Sequence, residues 1–445
     1  MEVPIKSCQT DDCQTLVWRT VKRTTAKLKF RLLISDNLNL SLIKTMDFHK
    51  IMLNRHKIFT FLILSVISLI FLGACGSDNN TDGQIRGKAS IIERGVINCF
   101  ADGLTTSKGK PVYCETSAVA YQGAYLIFGS DKPIPKKGHS AVFAIKYTDN
   151  GLPTDSGLSI EPLSYLTAPS FLAAIKYEDF TVTPDGLYVI ATTGFDRVKS
   201  GSVKWDGYNT LLLWKVGSPD TVTVASPTTT NGVTSSVSLR EKISLALKSE
   251  QFPNGVPYFK VEGLAAIPGN KLLFGIRELG ANYKEFEYAA KIISVSYQIR
   301  NGNVLVLADD FKLIYSYDVS KAFNQQTVAL SSLEYDKHSD RLYLLTCFEE
   351  SETDEGLGGY LWTLPIADLK SGKAPTFEIK EDGTPLLFAH KSEGITVLSK
   401  NKVLVIHDDD RVLGRKIVEN PETQFSRQAN QAAYSIVFWT RNPKH

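Results

Sequence analysis

The 445-residue chain has few of the residues that most often carry chemistry, with six cysteines, three methionines and seven histidines. It has no Gly-x-Ser-x-Gly elbow, no His-Glu-x-x-His pair and no glycine-rich loop ending in Lys-Ser/Thr. These absences remove the serine-elbow hydrolases, the zincin metalloproteases and the P-loop nucleotide enzymes as ready assignments. An excess of one charge sign is also missing: 50 Lys+Arg face 47 Asp+Glu. Without a basic footprint, nucleic acid is excluded as a partner class. Hydrophobic residues make up 43% and charged residues 22% of the chain, a globular composition that supports one large core or two smaller ones.

Only one long apolar run is present. Arg55, His56 and Lys57 precede Ile58 to Leu72, and Leu72-Gly73-Ala74-Cys75 follows. A charged region, a short apolar region and a small-residue cleavage site, in that order, are what a secretory signal presents. A single membrane-spanning helix is the competing reading, but Ser65 and Ser68 interrupt the run and the polar tract Gly76 to Asn80 follows it. The last four residues resemble the lipobox of bacterial lipoproteins. That resemblance implies diacylation of Cys75, with 52–74 as signal peptide, 75–86 as tether and the folded domain outside the cytoplasm in the cell envelope. Gly76 and Ser77 would direct it to the outer membrane in a Gram-negative cell. Residues 1–51 are then expected to be an upstream extension, with translation starting at Met52 or Met46. Residues 1–74 hold 11 of the basic and 5 of the acidic residues, so the formal +3 becomes −3 after processing. Cys99 and Cys114 are a disulfide candidate in an oxidising compartment. Cys347 is left as a small buried hydrophobe.

From about residue 86 the chain reads as short β-branched and aromatic strands between Gly, Pro, Asn and Asp turns, which predicts an all-β fold. Five strand–turn–strand segments align, starting at Glu115, Glu178, Glu262, Ser332 and Glu393. Further strands between them suggest four per unit. Radial repetition of such units hides sheet edges, so 87–445 is expected to be a β-propeller of five blades. A sixth is accommodated if 215–261 or 293–325 conceals one. The strand at Ala433 is predicted to pair with that at Ala89 and close the ring, and a Ser/Thr-rich segment with a helical stretch near 218–251 is read as an insertion. Two β-sandwiches are the competing architecture.

In each hairpin the start of the first strand and the end of the second lie at one edge. The repeat therefore brings Glu178, Glu262, Glu393, His407, Asp408 and Asp409 to one mouth of the channel as ligand or metal candidates, with Lys132, Arg197 and Arg277 as anion-binding candidates. Such a ring can hold Ca²⁺, which takes six to eight oxygen ligands, or an anionic group. The same glutamates can instead form ion pairs that lock blade to blade.

Lys391 to Arg411 and Val261 to Glu278 resemble the Glu-Gly-hydrophobic-Ala/Thr repeats of bacterial phytase-like or esterase-like propellers. The resemblance covers several hairpins between about 113 and 411 and implies a Ca²⁺-dependent phosphoester or ester hydrolase. The chain departs from it by lacking that family's dense Asp, Lys and Arg motifs, and Ser332 stands where other repeats have Glu. The expected function is a lipid-anchored envelope propeller that binds a small molecule or a protein, with the Ca²⁺-dependent hydrolase as the alternative.

Overall fold

The computed structural model describes residues 88–148, 157–196, 203–230, 232–322, 328–349, 356–410, 412–413 and 427–440. These lie in one compact unit, Asp82–His445. The signal, Cys75 and the tether lie outside the described residues. Among those described, no helix is long and apolar enough to cross a membrane.

Five antiparallel sheets of the four-stranded kind form a five-bladed β-propeller. Blade I runs outward through Thr116–Tyr121, Tyr125–Ser130, Val142–Tyr147 and Leu158–Tyr165. Blade II comprises Tyr177–Val182, Tyr188–Thr193, Leu211–Lys215 and Ser218–Val224. Blade III has Tyr258–Ile267, Lys271–Asn282 and Glu285–Arg300, with Val304–Leu307 and Lys312–Tyr317 sharing its outer edge. Blade IV has Ala329–Asp336, Arg341–Glu349 and Leu357–Pro365, edged by Thr376–Phe377 and Leu387–Phe388. In blade V, Ser392–Ser399, Lys402–His407 and Gln431–Trp439 are completed by Ala89–Asn98, so strands from the two ends of the domain share a sheet. Ring closure is as the sequence predicts, and the five-blade count holds. The segment read as an insertion is placed differently: Ser218–Val224 is the outer strand of blade II, and the excursion is the hairpin Thr228–Thr230/Val233–Ser235 plus the helix Leu239–Ala246.

Five hydrophobic clusters fill the five blade interfaces. Between blades I and II, for example, Phe180 and Trp214 pack with Ala120 and Val142. The inserted helix buries Leu239 and Ile243, one turn apart, in the cluster between blades II and III. Apolar burial on both sheet faces explains why these strands read as nearly continuous Val/Ile/Leu/Ala runs.

Each innermost strand carries a β-bulge at the same step. The residues left out of register are Ser117, Glu178, Glu262, Ser331 and Glu393. The sequence alignment of the repeats is therefore corrected in two blades: Ser117, not Glu115, is equivalent to Glu178, and Ser331, not Ser332, is its counterpart in blade IV. In those two blades the bulged residue is serine, so the glutamate that marks the repeat elsewhere is missing at that step, which is why the sequence register slipped there.

The residue after each bulge is Ala118, Asp179, Gly263, Ser332 or Gly394, and small size is needed where five strands converge. A Cβ at Gly263 would lie 2.7 Å from Leu333 Cγ, and one at Gly394 would lie 2.6 Å from the Ser117 carbonyl. Three residues beyond the bulge, Thr181, Glu334 and Thr396 each accept the backbone amide of the next blade, from Ala266, Val397 and Tyr121 respectively, at 3.1 Å. Innermost strands splay from one another, so these side chains satisfy amides that no ladder reaches.

Candidate functional site: the channel mouth

The bulge turns Glu178, Glu262 and Glu393 toward one mouth of the ring. Two residues before each stands a lysine, giving Lys176-Tyr-Glu178, Lys260-Val-Glu262 and Lys391-Ser-Glu393. Each pair is joined: Lys176 Nζ to Glu178 Oε1 at 2.5 Å, Lys260 to Glu262, and Lys391 Nζ to Glu393 Oε1 at 3.1 Å. The repeated Lys-x-Glu is visible in the sequence, and the sequence reading missed its lysines.

The pairs link into a continuous polar chain. Lys260 reaches back to Glu178 at 3.3 Å, joining blades II and III. Arg277 holds Glu262 at 3.1 Å and donates to Cys347 Sγ of blade IV at 3.0 Å. Cys347 in turn donates to Glu393 of blade V at 3.7 Å, and Lys391 contacts Asp410 at 3.0 Å. In blade I, Lys132 holds Glu115 at 2.7 Å and lies 3.7 Å from Asp131.

Burial makes the charge states unequal. Burial, and next the negative charge of Asp131, push Glu178 up to about 8 despite Lys176 and Lys260. Glu262 is equally buried, but Arg277 and Lys260 outweigh desolvation and hold it down at about 2. Desolvation pushes the Cys347 thiol up to about 12, with Arg277 opposing, which keeps the sulfur a neutral donor rather than a nucleophile.

The sequence-predicted candidates separate into three groups. Glu178, Glu262 and Glu393 sit in ion pairs with Lys176, Lys260, Arg277 and Lys391 rather than around one point. His407 and Asp409 turn away from the mouth: His407 bridges Ser392 Oγ at 3.1 Å and Ser435 Oγ at 2.8 Å, and Asp409 holds His390 Nδ1 at 2.6 Å and the Lys391 amide at 2.8 Å. The third is Asp408 alone, which converges with Glu115 and Asp410, two carboxylates not among those ligand candidates. Glu115, Asp408 and Asp410 each offer a carboxylate oxygen within 4.8 Å of the other two, an arrangement that can hold a metal ion. Asp408 is pushed well above the usual carboxylate range by burial and then by Asp410, with Glu115 adding to it. Lys132 and Lys391 already hold two of the three carboxylates. Arg197 lies outside the described residues.

Beside the mouth, at blades II and III, lies a cavity of about 820 Å³. Lys176, Lys260, Asp196 and Glu278 line it. Arg240 of the inserted helix enters from one side, and Trp205, Tyr258, Tyr283 and Phe286 supply aromatic wall. Lys176 Nζ lies 3.3 Å from Asp196, and the Tyr258 hydroxyl donates to Glu278 at 2.5 Å. Tyr283 is 66% exposed at the tip of the long blade III hairpin. Nothing in the repeat pattern marks Arg240, Trp205 or Tyr283, because they come from the excursion and from loop tips.

Cys99 and Cys114 are joined by a disulfide with a Cα–Cα distance of 5.9 Å, in the connection from blade V to blade I.

No family model matches the chain, and no curated protein matches it. Solved structures that resemble it include a member of the DUF4221 family from Bacteroides vulgatus, with 10% identity, a TM-score of 0.33, and 81% of this chain and 99% of that chain covered. A candidate glycoside hydrolase from Parabacteroides distasonis has 8% identity, a TM-score of 0.35, and 82% and 96% coverage. A luciferin-regenerating enzyme has 8% identity, a TM-score of 0.32, and 79% and 99% coverage.

Proposed function

We propose that the chain is a lipid-anchored propeller of the bacterial cell envelope that captures a small polar ligand at the channel mouth. The cavity of about 820 Å³ at blades II and III carries this reading. Its volume is that of a small-molecule site, and it combines aromatic wall with a few charged groups, the usual makeup of such sites. The anchor rests on Leu72-Gly73-Ala74-Cys75, and Gly76 and Ser77 favour the outer membrane in a Gram-negative cell. The three Lys-x-Glu pairs act as blade locks: their carboxylates are engaged by neighbouring cations and leave few free lone pairs for substrate.

The test is a panel of neutral and anionic small molecules screened by saturation-transfer NMR on the full chain and on Ala281→Trp. Ala281 is exposed and lines the cavity, so tryptophan there should fill it without disturbing the core. At least one class is expected to bind the wild type and be lost in the variant. A panel with no binders, or binders unaffected by the variant, would overturn the reading.

A second reading follows from the convergence of Glu115, Asp408 and Asp410. There the triad would hold Ca²⁺, with Lys132 and Lys391 beside it to receive a phosphate or other anionic ester, as the phytase-like resemblance implies. Calcium titration of the wild type and of a Glu115→Gln, Asp408→Asn double variant separates the two readings. Heat of binding that is absent in the double variant supports a metal centre. No heat in the wild type removes it.

A further inference from the structure

The cavity at blades II and III contains a cation that the polar chain around the mouth does not neutralise. Lys176, Lys260 and Arg277 are each ion-paired, and between them they face Glu178, Glu262, Asp196 and Glu278. Arg240 makes no ion pair with any described carboxylate. Its guanidinium lies over the Phe259 ring at 4.5 Å, and its Nη1 and Nη2 donate only long bonds of 3.4 Å to Asn209 Oδ1 and the Pro257 carbonyl. Both acceptors are neutral, and at that length each bond is weak. Burial lowers the Arg240 guanidinium to about 10, with Asp196 and Tyr258 opposing, which fits a desolvated cation without a full counter-charge.

We infer that the cavity takes an acidic sugar, its carboxylate on Arg240, its ring against the aromatic wall and its hydroxyls on Asp196 and Glu278. The inference rests on the cavity being the ligand site. Arginine's planar fork matches a carboxylate with two parallel bonds. A singly charged head fits better than a dianionic phosphate ester, because Asp196 and Glu278 line the same cavity and repel a second negative charge. Those carboxylates also argue against a plain aromatic acid. They are acceptors, and a benzoate ring brings no donors to them, whereas each sugar hydroxyl brings one. The side chains of Trp205, Tyr258, Tyr283 and Phe286 line the cavity and supply apolar surface for the C–H side of a pyranose without excluding its polar rim.

The test is calorimetric titration of the full chain with sodium glucuronate, glucose and sodium benzoate, repeated on Arg240→Gln and Arg240→Lys. Glucuronate is expected to bind the wild type at least tenfold more tightly than either comparison ligand. Arg240→Gln should weaken it tenfold or more, and Arg240→Lys, which keeps the charge but not the fork, should fall between. Comparable binding of glucose or benzoate to the wild type would overturn the inference, and that result needs no variant to fold. An undiminished glucuronate affinity in Arg240→Gln would overturn it as well. If none of the three binds while another compound is lost in Ala281→Trp, the acidic-sugar inference fails and the cavity reading stands. If Ala281→Trp displaces nothing, the cavity reading fails first.

Discussion

Asp179 Oδ2 accepts the backbone amide of Leu264 at 2.7 Å, across the boundary between blades II and III. The same carboxylate accepts the Leu333 amide and the Ser332 hydroxyl of blade IV at 3.1 Å, and its other oxygen accepts the Phe180 amide at 2.9 Å. One fully buried side chain thus joins three blades at the axis, where the equivalent residues of the other blades are Ala118, Gly263, Ser332 and Gly394. Asp179→Ala should cost about 3–5 kcal/mol, because it orphans several buried donors at once. Asp179→Asn, which keeps one acceptor oxygen and the shape, should cost about half of that. Urea unfolding of the two variants checks this, and equal losses would show that volume rather than hydrogen bonding matters at the axis.

The Lys260–Glu262 pair is buried, and Lys260 also reaches Glu178. Removing either partner alone upsets a buried, interlinked set of charges in which Glu262 keeps Arg277 and Lys260 keeps Glu178, so Lys260→Met and Glu262→Gln should each cost about 2 kcal/mol, less than the loss of a sole partner. The double variant should lose clearly less than the sum, with a coupling of about 1–3 kcal/mol. Glu262 also contributes a pH dependence. Its folded value of about 2 lies below the unfolded value near ~4.3, so its contribution is present above ~4.3 and is lost as pH falls toward 2. The acid limb of the stability curve should flatten in Glu262→Gln, and additive losses in the double variant would refute the coupling.

Much of this architecture was legible in the sequence, and the places where it was not share a physical cause. Alternating and continuous apolar strands with Thr183-Pro-Asp-Gly186 and Ile267-Pro-Gly-Asn270 turns announced the hairpins. The positive φ of Gly186 and Asn270 is what those turns require. The pairing of the strand at Ala89 with that at Ala433 was readable because two unpartnered strands remained at the ends. The register at Ser117 and Ser331 was not, since these two bulges carry serine in place of the glutamate that marks the other three. His407 and Asp409 were drawn to the mouth by their place in a dense polar run. The sheet instead directs His407 onto Ser392 and Ser435, and Asp409 folds back onto His390. Arg240 and Tyr283 carry no repeat signal, because only tertiary packing brings a helix and a hairpin tip to one cavity.

Glu334 gives the opposite pH signature from Glu262. Burial pushes its carboxyl up to about 8, although the Val397 amide and Thr396 hydroxyl both favour the charged form. A folded value above the unfolded one near ~4.3 means that its contribution is complete below ~4.3 and is lost as pH rises through 8. Glu334→Gln cannot ionise and keeps an acceptor for Val397. Its stability relative to the wild type should therefore rise between pH 5 and pH 8, by about 2 kcal/mol or more. Denaturation midpoints measured at several pH values test this, and parallel curves for the two proteins would contradict it.

The proposed anchor makes a chemical prediction at one atom. Cells expressing the full chain and fed a palmitate label should incorporate it into the protein, and Cys75→Ser should abolish both the label and partition into detergent. Labelling that survives the substitution would place the acyl group elsewhere, and a wild type that never labels would remove the lipoprotein reading.

The Cys99–Cys114 disulfide bears on the proposed envelope address. The chain must pass from the outermost strand of blade V, Ala89–Asn98, to the innermost strand of blade I, Thr116–Tyr121, and the bridge closes that passage over a sequence separation of 15. Both cysteines are buried in the hydrophobic cluster between blades V and I. Restricting a loop of this length in the unfolded chain stabilises by about 3 kcal/mol, and here the gain falls on the interface that closes the ring. Protein exported to an oxidising compartment should therefore resist urea better than the same chain made in a reducing cytoplasm. A Cys99→Ala, Cys114→Ala variant should unfold at the same denaturant concentration from either source. Identical midpoints for exported and cytoplasmic wild type, with thiol titration showing the bridge in one and not the other, would mean that the bridge adds nothing to ring closure.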